Sequence, residues 1–246
     1  MSLSRRDILL AGLSLAVTGC ATTSPTSRGG GRPKPIWPET VTRPTTPAPG
    51  SSAAAAKRPI HRATGLPAKP TPTTPGLPAG VLPRSRWTRH GLAGRNINRM
   101  NGVKTITLHH EGWTPFTATS AAASEDRIEQ IRQIHTRDRG WADLGYHFVI
   151  DRQGRVYQGR SVTFQGAHVS DNNPHNLGIM MLGNFEQQKP TREQVDAMSR
   201  FTRQMMAAYG VPGSRVQTHR EIKPTACPGR YMQAHVDRLR SRGVLS

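Results

Sequence analysis

His219 and Cys227 stand eight residues apart in the stretch His219-Arg220-Glu221-Ile222-Lys223-Pro224-Thr225-Ala226-Cys227-Pro228-Gly229. An imidazole and a thiol around a proline-containing turn are borderline and soft donors of the kind Zn²⁺ accepts. Thr105-Ile106-Thr107-Leu108-His109-His110 offers a third donor at the end of a strand-like run. Three protein ligands leave one position open to water, which is how catalytic rather than structural zinc sites are built. The chemistry implied is metal-assisted hydrolysis. Glu111 and Glu221 lie close to these ligands in sequence, and neither can be placed within reach of a reacting water from sequence alone.

Elements must deliver these groups to one point. Residues 103–108 read as a strand entering the histidine pair, and successive side chains on a strand face opposite ways. Ile106, Leu108 and His110 share the more apolar face, which assigns His110 to packing and leaves His109 for the site. Residues 124–139 read as a helix with Ser124 as N-cap, Glu125 and Asp126 in the first turn and Gly140 at the C′ position. Its buried stripe is Ile128, Ile131, Ile134 and His135, so His135 is a helix-face residue and not a ligand. Tyr146 to Ile150 reads as a strand, and Asp151-Arg152-Gln153-Gly154 turns it into a hairpin with Arg155-Val156-Tyr157. Leu177 to Leu182 is apolar enough to be a central strand. Thr191 with Gln194 forms a capping box, opening a helix whose stripe is Val195, Met198, Phe201, Met205, Ala208 and Tyr209 and which Gly210 stops. Val216-Gln217-Thr218 is a short strand delivering His219, and residues 229–241 form a last helix carrying Met232, Val236 and Leu239. Strands and helices alternating around one hairpin define an α/β domain with a mixed sheet flanked by helices.

Five separated motifs in this order resemble the peptidoglycan-recognition and type-2 N-acetylmuramoyl-L-alanine amidase family, which includes the small phage lysozyme-amidases. They are Thr107-Leu108-His109-His110; Gly140-Trp141 through Gly145-Tyr146-His147-Phe148; Gly166-Ala167-His168-Val169; Asn176-Leu177-Gly178-Ile179 with Gly183-Asn184-Phe185; and His219 through Cys227-Pro228-Gly229. The resemblance implies zinc on His109, His219 and Cys227, the trio already suggested by donor chemistry. It implies Tyr146 as a catalytic hydroxyl and Thr225 as a second, weaker oxyanion donor where the phage enzymes carry Lys. It places His168 and Asn173 in the substrate groove with Trp141 supporting its wall. The implied reaction is hydrolysis of the amide between N-acetylmuramic acid and the L-alanine of the peptidoglycan stem peptide. A rival of another class is a lipid-anchored module that binds peptidoglycan without cutting it. His147 and His175 are expected to be structural and exposed respectively.

The rest of the chain bears on where such a domain would work. Residues 1–20 read as an export signal. Arg5-Arg6 precede the apolar run 8–17, Ser4-Arg5-Arg6-Asp7-Ile8-Leu9 resembles a twin-arginine signal, and Val17-Thr18-Gly19-Cys20 resembles a bacterial lipobox whose cysteine is acylated. Ala21, rather than Asp, follows, so the expected location is the cell envelope, at the periplasmic face of the outer membrane. Residues 21–80 are rich in Pro, Thr, Ala and Gly and too poor in apolar side chains to pack, so they are expected to be a disordered linker. After Cys20 that linker carries Arg28, Arg32, Lys34, Arg43, Lys57, Arg58, Arg62 and Lys69 against Glu39 alone. The folded domain is expected over 81–246. Two cysteines in 246 residues exclude a disulfide framework. The net charge of +19 is compatible with polyanions, but no nucleic-acid-binding signature accompanies it.

Overall fold

The computed structural model describes residues 76–93 and 97–245. The signal, Cys20 and the linker up to residue 75 lie outside the described residues. Six strands form one sheet in the order β1-β4-β3-β5-β2-β6. They are β1 (Val81–Leu82), β2 (Thr105–His110), β3 (Phe148–Ile150), β4 (Val156–Gln158), β5 (Asn176–Met181) and β6 (Val216–Thr218). Among the six strands of the described residues, the β3–β4 hairpin is antiparallel and the other strand pairings are parallel. The sheet is therefore mixed, as expected, with the apolar β5 in its interior.

Strand alternation sorts side chains onto two cores. Ile106, Leu108, Phe148, Ile150, Leu177, Ile179 and Met181 join Met198, Phe201, Met205, Met232 and Val236 of α2 (Arg192–Tyr209) and α4 (Arg230–Ser241). On the opposite face Val149, Met180 and Leu182 join Ile128 and Ile131 of α1 (Ala121–Arg137) together with Leu144 and Tyr146. His109 alternates onto this second face. A four-residue helix, α3 (His219–Ile222), follows β6 directly.

Several boundaries differ from the sequence reading. The N-cap of α1 is Ser120, whose Oγ accepts the Ala123 N–H at 3.2 Å, while Ser124 is buried inside the helix and donates to the Ser120 carbonyl. Ala121-Ala122-Ala123 are the best helix formers available, so the helix starts one turn earlier and Glu125 and Asp126 leave its first turn. Asp138 caps its C-terminus, and Gly140 takes the left-handed conformation (φ +67°) two residues later. In α2 the Thr191–Gln194 capping box and left-handed Gly210 are as expected. Its buried face, however, is Gln194, Ala197, Met198, Phe201, Thr202 and Met205, and Ala208 is exposed. Gln194 turns inward because its amide donates to the Leu182 carbonyl at 2.9 Å.

Candidate metal centre

β2 and β6 are neighbours, with Leu108 level with Thr218, so His109 and His219 come side by side at the same height of the sheet. Their ring centroids are 4.8 Å apart. Cys227 returns to this pair through a short loop that is pinned at several points. Arg220 N–H donates to the Cys227 carbonyl at 3.0 Å, Gly229 N–H to Ala226 at 2.7 Å, and Cys227 N–H to Thr225 Oγ1 at 3.2 Å. The Arg220 guanidinium also bridges the Ala226 carbonyl and Glu186. Gly229, at φ +88°, lets this loop pass the Phe185 backbone, because a Cβ there would lie 2.3 Å from the Phe185 carbonyl carbon.

One ligand atom from each of His109, His219 and Cys227 lies within 4.8 Å of the others, and all three residues are buried. Cys227 Sγ is 3.5 Å from His109 Nδ1. A tetrahedral ion with Zn–S near 2.3 Å and Zn–N near 2.05 Å places such a pair roughly 3.6 Å apart. His219 Nδ1 is buried without a hydrogen-bond partner, a costly state for a polar atom unless something binds it. The donor set and its spacing thus fit zinc.

Electrostatics agree with that use. Burial, aided by neighbouring imidazoles, pushes His109 well below its ordinary value, and burial with Lys223 nearby lowers His219 to about 4. Both rings are therefore neutral at pH 7, the form a metal requires. Burial pushes the Cys227 thiol up to about 12. It is consequently no free nucleophile at neutral pH, and a divalent cation is what would make it a thiolate.

Tyr146 lies against His109 with ring centroids 5.1 Å apart, and burial raises its hydroxyl above the ordinary phenol value, so it remains an O–H donor. The strand expected to begin at Tyr146 begins at Phe148 instead. Strict alternation consequently does not reach Tyr146 and His147, and both rings stand within about 6 Å of His168. Gly145 and Gly159 permit close backbone approach here, since a Cβ would lie 2.6 Å from the Ala167 carbonyl oxygen or 2.4 Å from that of Tyr146. His147 is structural, as expected: Nδ1 accepts the Gly178 N–H at 2.9 Å and Nε2 donates to the Phe164 carbonyl at 3.0 Å. His110 faces the α2 and α4 core and its Nδ1 accepts the Phe185 N–H. His135 accepts the Gly145 N–H and lies between Trp141 and Tyr146.

The remaining site candidates have particular surroundings. Trp141 is half-buried and packs on His135 at 4.6 Å between ring centroids. His168 is only 5 % exposed, and its two ring nitrogens address His109 and the Asn176 carbonyl. Asn173 is half-buried, and its Oδ1 accepts the N–H groups of His168 and Val169. Glu111 is buried and held by Arg127 and the Gly183 N–H. Glu221 accepts from Thr218 N–H, Gln233 and Arg240. Both carboxylates near the ligands in sequence are thus engaged within the protein. The inward contact of His168 was not legible beforehand, because no local pattern relates residue 168 to residue 109.

A mixed sheet flanked by helices that brings three soft and borderline donors together beside a neutral tyrosine defines the class: an α/β domain whose buried His-His-Cys cluster fits a zinc site. The chain belongs to the N-acetylmuramoyl-L-alanine amidase family (Amidase_2), whose model matches residues 99–230. It is 32% identical over 159 residues to peptidoglycan-recognition protein SD of Drosophila melanogaster, covering 63% of this chain and 82% of that relative. It is 28% identical over 156 residues to an N-acetylmuramoyl-L-alanine amidase of Sus scrofa, covering 63% of this chain but 26% of that longer protein. Among solved structures, Drosophila PGRP-LB superposes with a TM-score of 0.58 at 25% identity, over 64% of this chain and 92% of that one. The amidase LysC from Clostridium intestinale superposes with a TM-score of 0.52 at 25% identity, over 62% and 95%.

Proposed function

We propose that this domain hydrolyses the amide joining the lactyl group of N-acetylmuramic acid to the L-alanine of the peptidoglycan stem peptide, with zinc held by His109, His219 and Cys227. The observation carrying this reading is the complete donor set, with His109 Nδ1 3.5 Å from Cys227 Sγ and His219 Nδ1 buried without a partner. Bound there, zinc supplies Lewis-acid chemistry, polarising a carbonyl and bringing water to near-neutral acidity. The chain's own residues do the rest. Tyr146, held neutral by burial, donates its O–H to the oxygen on which charge develops. Thr225 Oγ1 already accepts the Cys227 N–H, so its proton is what it can offer a substrate oxygen. Trp141, packed on His135 beside Tyr146, supports the groove wall.

The test is muropeptide release from purified sacculi, measured with zinc content. Wild-type protein is expected to carry one zinc and free stem peptides; stoichiometric zinc without release refutes the hydrolase. A second reading, a peptidoglycan binder that does not cut, is favoured by the recognition proteins among the relatives. Retention of Cys227 supports the enzyme over the binder. Cys227→Ala is expected to keep sacculus binding while losing zinc and hydrolysis. We also propose that Cys20 is acylated and anchors the domain in the cell envelope, with residues 21–80 as its tether.

A further inference from the structure

We propose that His168 is a positioning residue that fixes the tautomer and ring plane of the metal ligand His109. The inference rests on the zinc reading above and concerns a residue that the motif comparison places in the substrate groove. His168 Nε2 lies 3.1 Å from the backbone carbonyl of Asn176, and His168 Nδ1 lies 3.1 Å from His109 Nε2. A carbonyl can only accept, so His168 Nε2 carries the proton and its Nδ1 presents a lone pair. That lone pair requires His109 to be protonated at Nε2. The remaining nitrogen of His109, Nδ1, is then unprotonated, and it is the atom 3.5 Å from Cys227 Sγ. One fixed backbone carbonyl in β5 thus dictates, through two rings, which His109 nitrogen meets the ion. Outer hydrogen bonds of this kind orient ligating imidazoles and raise their basicity.

The fold makes room for this relay. A Cβ on Gly166 would stand 2.3 Å from His168 Cδ2, and one on Gly178 would stand 2.7 Å from the same atom. Neither glycine has a positive φ, so space for the ring, not backbone conformation, is what each supplies. The Asn173 side chain holds the His168 backbone N–H at 2.9 Å, and His147 Nδ1 holds the Gly178 N–H at 2.9 Å. The ring is fixed from its own backbone and from the strand beneath it. An edge-on packing at 82° to His109, with centroids 5.0 Å apart, aims its lone pair at the His109 edge rather than at its face.

The experiment measures zinc affinity by chelator competition on the full chain, alongside imidazole nitrogen NMR. His168→Phe keeps a ring but leaves His109 Nε2–H without its acceptor, and zinc affinity is expected to fall about 10–100-fold. His168→Gln, whose amide can accept from His109 and donate to Asn176, is expected to stay within about threefold of wild type. Gly178→Ala, which crowds the ring, is expected to weaken zinc in the same direction as the Phe variant. In wild type, metal-free and zinc-loaded, both His168 and His109 are expected to be protonated at Nε2. Equal zinc affinity in the Phe variant, or a His168 protonated at Nδ1, overturns the proposal. A wild type that takes no zinc overturns the metal centre itself, whereas the relay alone fails when wild type binds zinc and the tautomers are wrong. A merely structural His168 would lower metal-free stability in both substitutions and leave the affinity of the folded protein unchanged.

Discussion

Tyr146 and His147 are neighbours with different tasks, and each task makes a prediction. The Tyr146 ring meets His109 edge-on and is held neutral by burial, so it contributes only its O–H. Tyr146→Phe keeps the ring packing and removes that donor. Turnover on soluble muropeptide should fall about 10²–10³-fold, with zinc content unchanged; a variant that loses zinc as well would mark Tyr146 as structural. His147 uses both nitrogens inside the protein, and burial lowers it from 6.5 to about 4 despite its bond to Phe164. Its unfolded form binds a proton in that interval and its folded form does not. The stabilisation is therefore complete above about pH 6.5 and is lost as pH falls through about 4. The amount is on the order of 3 kcal/mol. Urea unfolding of chelator-treated protein between pH 7 and pH 4 should show a slope to which the buried His109, His110, His135, His168 and His219 also contribute, and His147→Gln should lessen that slope by its own share.

The β6–α3–Cys227 segment is the element on which the centre turns. Four residues of helix cannot persist on their own nucleation energetics, so α3 depends on what clamps it. Glu221 closes a capping box with Thr218, and Arg240 of α4 grips the Glu221 carboxylate at 2.7 Å and the Val216 carbonyl at 2.7 Å. Burial alone would raise the Glu221 carboxyl; the bonds from Arg240, Thr218 and Gln233 outweigh it and bring it down to about 2. A depressed carboxyl stabilises the fold above its ordinary value of 4.5 and loses that contribution as pH falls toward about 2. Arg240→Met should therefore cost on the order of 1 kcal/mol at pH 7, after discount for the solvent exposure of the pair, and should flatten acid unfolding between pH 4.5 and 2. It should also weaken zinc by loosening His219, which a chelator titration would read. Of this segment, the strand over Val216–Thr218 and its delivery of His219 were legible in sequence, as were the ligand types. The clamp was not, because Glu221 and Arg240 lie too far apart for local periodicity to join them. Ser124 has a different, local reason: Ser120 and Ser124 are both N-cap types one turn apart, and it is the Ser120–Ala123 bond that fixes where the helix starts. The sheet's class followed from strands and helices arranged around one hairpin, and the interior β5 from its continuous apolar run; the choice of His109 over His110 followed from alternation, since one face of β2 is apolar and the other is not.

For the whole molecule, the proposed function raises the question of how a buried His-His-Cys site would meet an insoluble polymer. The chain carries +19 net charge and a sequence pI near 11.5, so it is attracted to anionic surfaces without selecting among them. Such attraction is screened within about 8 Å at physiological salt and cannot by itself hold the domain at one membrane. A covalent lipid on Cys20 can, although one acyl chain binds only marginally and stable anchoring takes two signals. The run of basic residues from Arg28 to Lys69 is suited to be a second. Under the proposed tethering, sixty residues of Pro-rich chain would reach roughly 190 Å in polyproline geometry and average about 45 Å as a coil, so linker length would set which layer of wall the domain samples. Cys20→Ser should shift the protein from the membrane to the soluble fraction in cell fractionation while leaving zinc content and soluble-muropeptide turnover at wild-type values. Deleting residues 31–70 with Cys20 retained should instead keep the protein on the membrane and lower its release of stem peptides from the wall in cells, with purified-sacculus activity intact. If Cys20→Ser stays in the membrane fraction, the anchor is not the lipid. If the deletion digests the wall in cells as wild type does, reach is not what the linker provides.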